Sequence, residues 1–314
     1  MGDFKSANIL FFFIFFSIPL FLYPQSICSE DFPETKNELF NIFSLNYNDL
    51  PYTYYKEDNF DTNYLSDRAG VILFEWDSKE YYHPVNMVGK ALGYLDLYVQ
   101  KQNQNYLNKA NIYASKFIEI ADTINGAMYF PYEFDFPLHD DSLDVIHKPW
   151  YSAMAQGKIL TFFTRLYKIT KDLQYFITSK MIYSSFKQVK DTSNVWIAMV
   201  DSNGFYWLEL YPTDTPTHVL NGFMFSLIGL YDYFLLTSDP ECRCILQSAL
   251  TTLKHNALLY RRPGKASYYC LKHKHVSKKY HIITVSYLFE MYKITGDYFF
   301  YDLHVLFKND YSDG

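Results

Sequence analysis

A pattern of paired helices recurs four times along this 314-residue chain and limits its fold more than any other feature. In each unit a helix of small and apolar residues reaches a tyrosine and turns at a short polar break, and a second helix opens with aromatic residues. The units begin at Pro84, Trp150, Asn221 and His281, roughly sixty to seventy residues apart. Because each hairpin can bury its apolar faces only against its neighbours, the pattern predicts an array of packed hairpins.

The first helix of each unit is rich in Gly, Ala and Ser, which suits close packing at the centre of the array. We therefore predict a mainly α fold, an incomplete α/α toroid with these helices inside and short β-hairpins at its mouth. Alternating residues at 205–211 indicate one such β segment. In this arrangement the loops before the inner helices share one end, so residues 134–150, 205–221 and 268–281 are expected to converge there.

The N-terminus carries a targeting signal. Residues 9–23 form an apolar run after Lys5, shorter than the roughly twenty residues of a membrane span. A secretory signal with small residues at Ser26 and Cys28 before the cut is favoured over an uncleaved type II anchor. We divide the chain into this segment (1–28), an extension with little regular structure (29–74) and a helical domain (75–314).

Composition narrows the class of protein. Aromatic residues make up 20% of the chain, and aromatic rings stack on sugars in glycan clefts, although most of them must be core. A net charge of −6 disfavours nucleic acid as a partner. The spacing of Cys242 and Cys244 fits neither a zinc knuckle nor an easy disulfide, which leaves open a bridge from one of them to Cys270.

The pattern of residues 207–232 predicts a strand, a polar loop and a buried helix. This segment also contains several side chains that could act in catalysis. Glu209, Tyr211, His218 and Asn221 fall within thirteen residues of one another. A loop of this kind positions polar groups beside a rigid core element. The alternative is that the loop only caps the following helix, with Asn221 at its start.

Residues 261–281 form the one strongly basic stretch of an acidic chain, which favours an anionic glycan over a nucleic acid as partner, with a solvated loop as the alternative. Its cations surround Tyr269 and Tyr280 and could lower their pKa values for acid–base work. His273 and His275 flank a lysine, and the sequence shows no third ligand nearby. We therefore predict no metal site.

Three motifs point to a known family. The runs Pro149-Trp-Tyr-Ser-Ala-Met-Ala-Gln-Gly157 and Leu208-Glu-Leu-Tyr-Pro-Thr213, together with residues 219–232, resemble the C-terminal catalytic domain of the D-glucuronyl C5-epimerase family. The resemblance extends from about Glu75 to Phe307. It implies an α/α barrel, inversion at C5 of glucuronate residues within a heparosan or heparan sulfate polymer, and catalytic tyrosines at the cleft.

The resemblance assigns residues motif by motif. The tyrosine before Pro-Thr is Tyr211, that of the family's Ile-Tyr-Asp-Leu-Arg-His motif is Tyr269, and that of its Tyr-His pair is Tyr280. This chain has Leu210 where the animal enzymes have Glu, Cys270 for Asp and Lys272 for Arg. Lysine keeps the charge but loses the two-pronged contact with a carboxylate, so the substrate's sulfation pattern stays open.

These features predict an isomerase that removes and returns the C5 proton of glucuronate, giving iduronate. Tyr211 and either Tyr269 or Tyr280 are the expected opposed acid and base, and Lys272 and His281 are expected to support the substrate carboxylate. No cofactor is expected. The remaining expected substrate contacts are Trp150, Tyr151, Gln156, Glu209, His218, Asn221 and His273.

Two other functions fit the same features: a polysaccharide lyase of similar fold and an inactive, exported glycan-binding module. The expected partner is an anionic polysaccharide and not nucleic acid, with membrane anchoring by the N-terminal segment and a homodimer left open. The expected compartment is secretory or extracytoplasmic: the Golgi membrane in a eukaryote, or the periplasm or medium in a bacterium.

Overall fold

The structure is a computed structural model that describes Cys28 and residues 32–53, 64–191 and 195–312. The predicted signal or anchor lies outside the described residues, apart from Cys28.

The described residues contain the four predicted hairpins. Each turns by the same device: the first helix ends at a residue in the left-handed conformation, and the Asn or Asp that follows accepts a hydrogen bond from the start of the second helix. The pairs are α1 (Pro84–Lys101) with α2 (Gln104–Ile120), α3 (Ala153–Thr170) with α4 (Leu173–Ser184), α5 (Leu220–Thr237) with α6 (Pro240–Asn256), and α7 (Lys278–Thr295) with α8 (Tyr298–Asp310).

The first helices of the hairpins are the inner ones and contact one another in the order α1, α3, α5, α7. Helix α5 is apolar and long enough to cross a membrane, but it is the core helix, buried along 220–233. It packs on α3 so closely that a Cβ added at Gly157 would lie 2.5 Å from the Cα of Ser226. The small residues thus permit the predicted close packing, and the predicted mainly α, open toroid is confirmed.

The strands pair as antiparallel two-stranded hairpins. One of them lies within the predicted mouth segment 134–150, and a second places one of its strands, Tyr206–Leu208, in the segment 205–221. The third segment, 268–281, contributes isolated bridges, Val219 with Cys270 and Tyr268 with Val276, instead of a hairpin. The strand pairs are β1 (Phe74–Trp76) with β2 (Lys79–Tyr81), β3 (Asp122–Ile124) with β4 (Ala127–Tyr129), β5 (Phe136–Pro137) with β6 (Val145–Ile146), and β7 (Ala198–Val200) with β8 (Tyr206–Leu208).

The N-terminal extension has one 3-10 turn, Tyr47–Asp49, among its described residues, yet it packs into the same core as the helices. Phe40 exchanges two backbone hydrogen bonds with the side chain of Gln247 on α6. Tyr52 stacks on Phe225 of α5 and lies near Tyr287 of α7. The extension therefore fills space inside the open side of the helical arc.

A disulfide joins Cys28 to Cys244, with 5.4 Å between the Cα atoms. The suggested bridge to Cys270 is wrong, because Cys270 is a free, buried thiol. The extension runs along α6 and brings together two cysteines 216 residues apart in sequence. Cys28 thus belongs to the folded protein, so cleavage of a leader would have to precede it and not follow it.

Candidate active site

The three predicted mouth segments meet beside one cleft, as expected from the hairpin order. Phe136 stacks on Tyr211 with 5.8 Å between ring centroids, and His139 meets the ring of Tyr269 edge-on at 5.6 Å. The cleft has a volume of about 550 Å³. Its lining includes residues 144–151, 195–196 and 212–215 and Lys272.

Tyr211, Tyr269 and Tyr280, the three predicted catalytic tyrosines, form one cluster. Tyr269 donates a hydrogen bond to Tyr211, and its ring centroid lies 4.7 Å from that of Tyr280. Tyr269 is buried, whereas Tyr280 is 36% exposed. The structure therefore gathers three phenols from two loops and the first turn of α7.

The two hydrogen-bonded phenols, Tyr211 and Tyr269, differ in acidity. Burial raises the pKa of Tyr211 to about 12, while the hydrogen bond from Tyr269 acts in the opposite direction. Burial also holds the pKa of Tyr269 well above its usual range, and donating to Tyr211 raises it further. Tyr211 is accordingly the phenol of this pair that ionises more readily.

Lys272 and His273 lie near the cleft, but both contact an acid that the sequence did not single out. Asp144 accepts hydrogen bonds from Nζ of Lys272 at 2.6 Å and Nε2 of His273 at 2.5 Å. The pKa of Asp144 lies below its usual range, mainly because Lys272 donates this hydrogen bond to the carboxylate. The only signal for Asp144 in the sequence was its place in a mouth segment.

Glu209 does not reach the cleft, which corrects its assignment as a substrate contact. It is fully buried and accepts hydrogen bonds from both polar groups of Thr217, from the backbone of His218 and, at 2.6 Å, from His218 Nδ1. The ring of His218 also stacks on Trp207 at 3.9 Å. The hydrogen bonds between Glu209 and His218 thus fix the loop between β8 and α5.

Gln156 and His281 are also corrections, because buried framework groups use their hydrogen-bonding capacity. Gln156 is fully buried and bonds three groups: Met128 and Phe130 through their backbones, and Ser185. His281 is 1% exposed. Its Nδ1 accepts from the backbone of residue 267, and its Nε2 faces the carbonyls of residues 307 and 311.

Asn221 does not cap α5, whose N-cap is Val219 without a side-chain hydrogen bond. The buried Oδ1 of Asn221 has no hydrogen-bond partner among the described residues. Trp150 and Tyr151 do line the cleft. Trp150 is fixed by stacking on Tyr132 at 3.9 Å, and Tyr151 by a hydrogen bond to Asp122.

Three groups at the mouth could hold a metal ion: His139, Cys270 and His273, whose ligand atoms all lie within 4.8 Å of one another. Of the two histidines considered in the sequence, His273 belongs to this group and His275 does not, and the absence of a metal site stays a prediction. His139 enters from a loop 131 residues before Cys270, which spacing alone does not show.

With this geometry in place, comparison with known proteins assigns the family. Residues 125–309 match the family described as D-glucuronyl C5-epimerase C-terminus. The chain belongs to this family. The match covers more than half of the sequence and includes all three tyrosines of the cluster.

Two relatives and two solved structures extend the comparison. The D-glucuronyl C5-epimerase of Caenorhabditis elegans is 34% identical over 141 residues, covering 41% of this chain and 22% of that protein. An uncharacterized protein of Methanocaldococcus jannaschii is 25% identical over 167 residues, covering 53% of this chain and 52% of that protein. The chain thus spans about a fifth and about half of these curated relatives.

Among solved structures, cellobiose 2-epimerase from Bacillus thermoamylovorans has a TM-score of 0.55 at 12% identity, covering 78% of this chain and 66% of that chain. A D-mannose isomerase has a TM-score of 0.53 at 10% identity, covering 79% and 66%. These likenesses concern the fold alone and agree with an α/α toroid.

The departures from the family motif cluster around Tyr269. Leu210, which replaces the expected acid, is 6% exposed and packs with Val219, Tyr269 and Cys270. Its side chain also fills the space that a Cβ at Gly222 would need. In this member of the epimerase family, Leu210 therefore packs the loop against α5 by an apolar contact, at the position where a glutamate was expected.

Proposed function

We propose that this chain is a carbohydrate epimerase that inverts C5 of D-glucuronate residues to L-iduronate within a heparosan-like polysaccharide. The observation that carries the proposal is the cluster of Tyr211, Tyr269 and Tyr280 beside an open cleft, within the region that matches the epimerase family.

The reaction explains the need for several phenols. The C5 proton lies next to a carboxylate, so its removal builds a second negative charge that donors or cations must stabilise. Inversion then needs a proton from the opposite face of the ring. Tyr211 and Tyr269 are hydrogen-bonded to each other and leave no room for a sugar between them. We assign Tyr211 as the base, Tyr269 as the donor that favours its ionised form, and Tyr280 as the acid on the other face.

The cleft suits a polymer. It is open, and Trp150, Tyr151 and Trp196 in its lining offer ring faces for pyranoses. Lys272 and His147 also line it, next to the acids Asp144 and Asp214, so the lining carries groups of both charges. The Cys28–Cys244 disulfide supports residence in an oxidising, secretory compartment.

The test is incubation of the purified protein with heparosan, followed by depolymerisation and disaccharide analysis. We expect iduronate and an unchanged polymer length. Chain cleavage with ends that absorb in the ultraviolet would instead identify a lyase, and tight binding without iduronate would identify a glycan-binding module. Either of these results overturns the proposal.

A further inference from the structure

We propose that His139, Cys270 and His273 form a Zn²⁺ site beside Tyr269. Sγ of Cys270 lies 3.3 Å from Nε2 of His139 and 3.6 Å from Nδ1 of His273. A tetrahedral Zn²⁺ with a Zn–S bond of about 2.3 Å and Zn–N bonds of about 2.1 Å separates sulfur and nitrogen by about 3.6 Å. The two sulfur–nitrogen distances therefore already match the spacing that the ion requires, and all three ligand atoms lie within 4.8 Å of one another.

The surroundings of the site orient these ligands. Nε2 of His273, the nitrogen that faces away from the thiol, lies 2.5 Å from Oδ2 of Asp144. A carboxylate on the far nitrogen of a ligating histidine fixes the ring and makes it a better ligand. His139 has a φ of 57° and Lys274 a φ of 51°, values that residues other than glycine rarely adopt. Such strain is typical of functional sites.

The ligand set selects the metal. One thiolate and two imidazoles suit Zn²⁺ and disfavour Ca²⁺ or Mg²⁺, which prefer oxygen. Three protein ligands leave the fourth position open, as in zinc sites that bind water or a substrate. Cys270 is buried, whereas His139 and His273 are partly exposed, so the site can be reached from solvent.

The position of the site gives it a role, and this part rests on the proposed function. The charge of Lys272 is taken up by Asp144, which weakens its hold on a substrate carboxylate. A Zn²⁺ ion beside Tyr269 would supply positive charge there and could take a carboxylate oxygen of the uronate in its fourth position. The ion would then stabilise the second negative charge that forms on proton removal.

The test reads metal binding without substrate. The full-length protein is loaded with Zn²⁺, and separately with Co²⁺, after which metal content and the thiolate-to-cobalt charge-transfer band are measured. We expect one equivalent of Zn²⁺ and a clear band. Cys270→Ser should abolish the band, whereas Cys242→Ser, the same change at the other free buried cysteine, should retain it. Absence of the band, or its survival in Cys270→Ser, overturns the site.

Two further variants protect the test against misfolding. His139→Ala removes a ligand from a partly exposed loop and should also abolish the band. Asp144→Asn should weaken Zn²⁺ binding roughly 10–100-fold. Unaltered Zn²⁺ affinity in both variants overturns the site.

Addition of heparosan to the Co²⁺ protein tests the carboxylate role separately. A shifted cobalt spectrum supports that role. An unchanged spectrum with continued iduronate formation refutes it while leaving the epimerase proposal intact. If iduronate never forms but the Zn²⁺ stoichiometry holds, the proposed function fails and the metal site stands.

Discussion

Two sets of polar residues near the mouth looked alike in the sequence and differ in the structure. The first is the tyrosine cluster, Tyr211, Tyr269 and Tyr280, in which Tyr269 donates a hydrogen bond to Tyr211 and its ring lies against that of Tyr280 beside the cleft. The second comprises the buried framework groups Glu209, Gln156 and His281, whose hydrogen bonds are made within the protein. A polar side chain at an active-site loop is available for chemistry only if the fold has not already used its hydrogen-bonding capacity.

The largest expected effect is on the tyrosine cluster. Tyr211→Phe removes the proposed base and should lower kcat for iduronate formation by roughly 10²–10⁴-fold, with the thermal unfolding midpoint nearly unchanged. The matched control is Tyr233→Phe. Tyr233 is a buried tyrosine in the C-terminal half of α5, and its ring stacks on that of Tyr183 in α4. Equal activity losses in the two variants would contradict the special role of Tyr211.

The framework should respond in the opposite way, through stability. Gly157→Ala places a methyl group against the backbone of Ser226 and should cost about 1–3 kcal/mol of unfolding free energy or more. Gly89→Ala in α1 has only Lys158 Nζ, at 3.9 Å, near the added carbon. It should be neutral or stabilising, since alanine is the better helix former. Chemical denaturation measures both, and equal effects would refute the close α3–α5 contact.

Glu209 separates the two sets most sharply. Glu209→Gln keeps the shape but weakens the bond to His218, and we expect a loss of about 1–3 kcal/mol in stability. KM should change little, because Glu209 is fully buried. Measurement of KM and unfolding on the same preparation decides the matter: a raised KM with full stability would return Glu209 to the substrate contacts.

The smallest expected effect is on stability and concerns the buried amine of Lys158. Burial lowers the pKa of Lys158 on α3 from 10.5 to about 8. Between about pH 8 and 10.5 the unfolded state holds the extra proton, so this group makes stability rise with pH in that window. Below about pH 8 the penalty is constant. Lys158→Met should remove it and gain about 1–2 kcal/mol at pH 7, allowing for the lost contact over Tyr52.

The difference in unfolding free energy between wild type and Lys158→Met, followed from pH 7 to 10.5, measures this effect. Comparison of the two proteins cancels the tyrosines that titrate in the same range. A difference that does not shrink with rising pH would show that Lys158 is not penalised by burial.

The fold was largely predictable because its signals are local. Polar breaks such as Asn103 and Asp172 cap the second helix of each hairpin, and small residues such as Gly157 mark the inner helices. Convergence of the mouth segments follows from hairpin order. Sequence spacing does not give the direction of a side chain, however, and this is why Gln156 and His281 were misplaced.

Long-range partners were the other failure. Cys28 reaches Cys244 only because the extension packs along α6. His139 lies beside Cys270 although the two are 131 residues apart in sequence. Neither pairing leaves a periodic or adjacent signal in the sequence.

The most direct test of the central claim is incorporation of solvent deuterium at C5. Heparosan incubated with the protein in deuterated water and followed by NMR should gain deuterium at C5 of its uronate residues while iduronate signals grow. Tyr211→Phe should show neither change. A wild-type protein that binds the polymer but incorporates no deuterium would contradict proton abstraction by the tyrosine cluster.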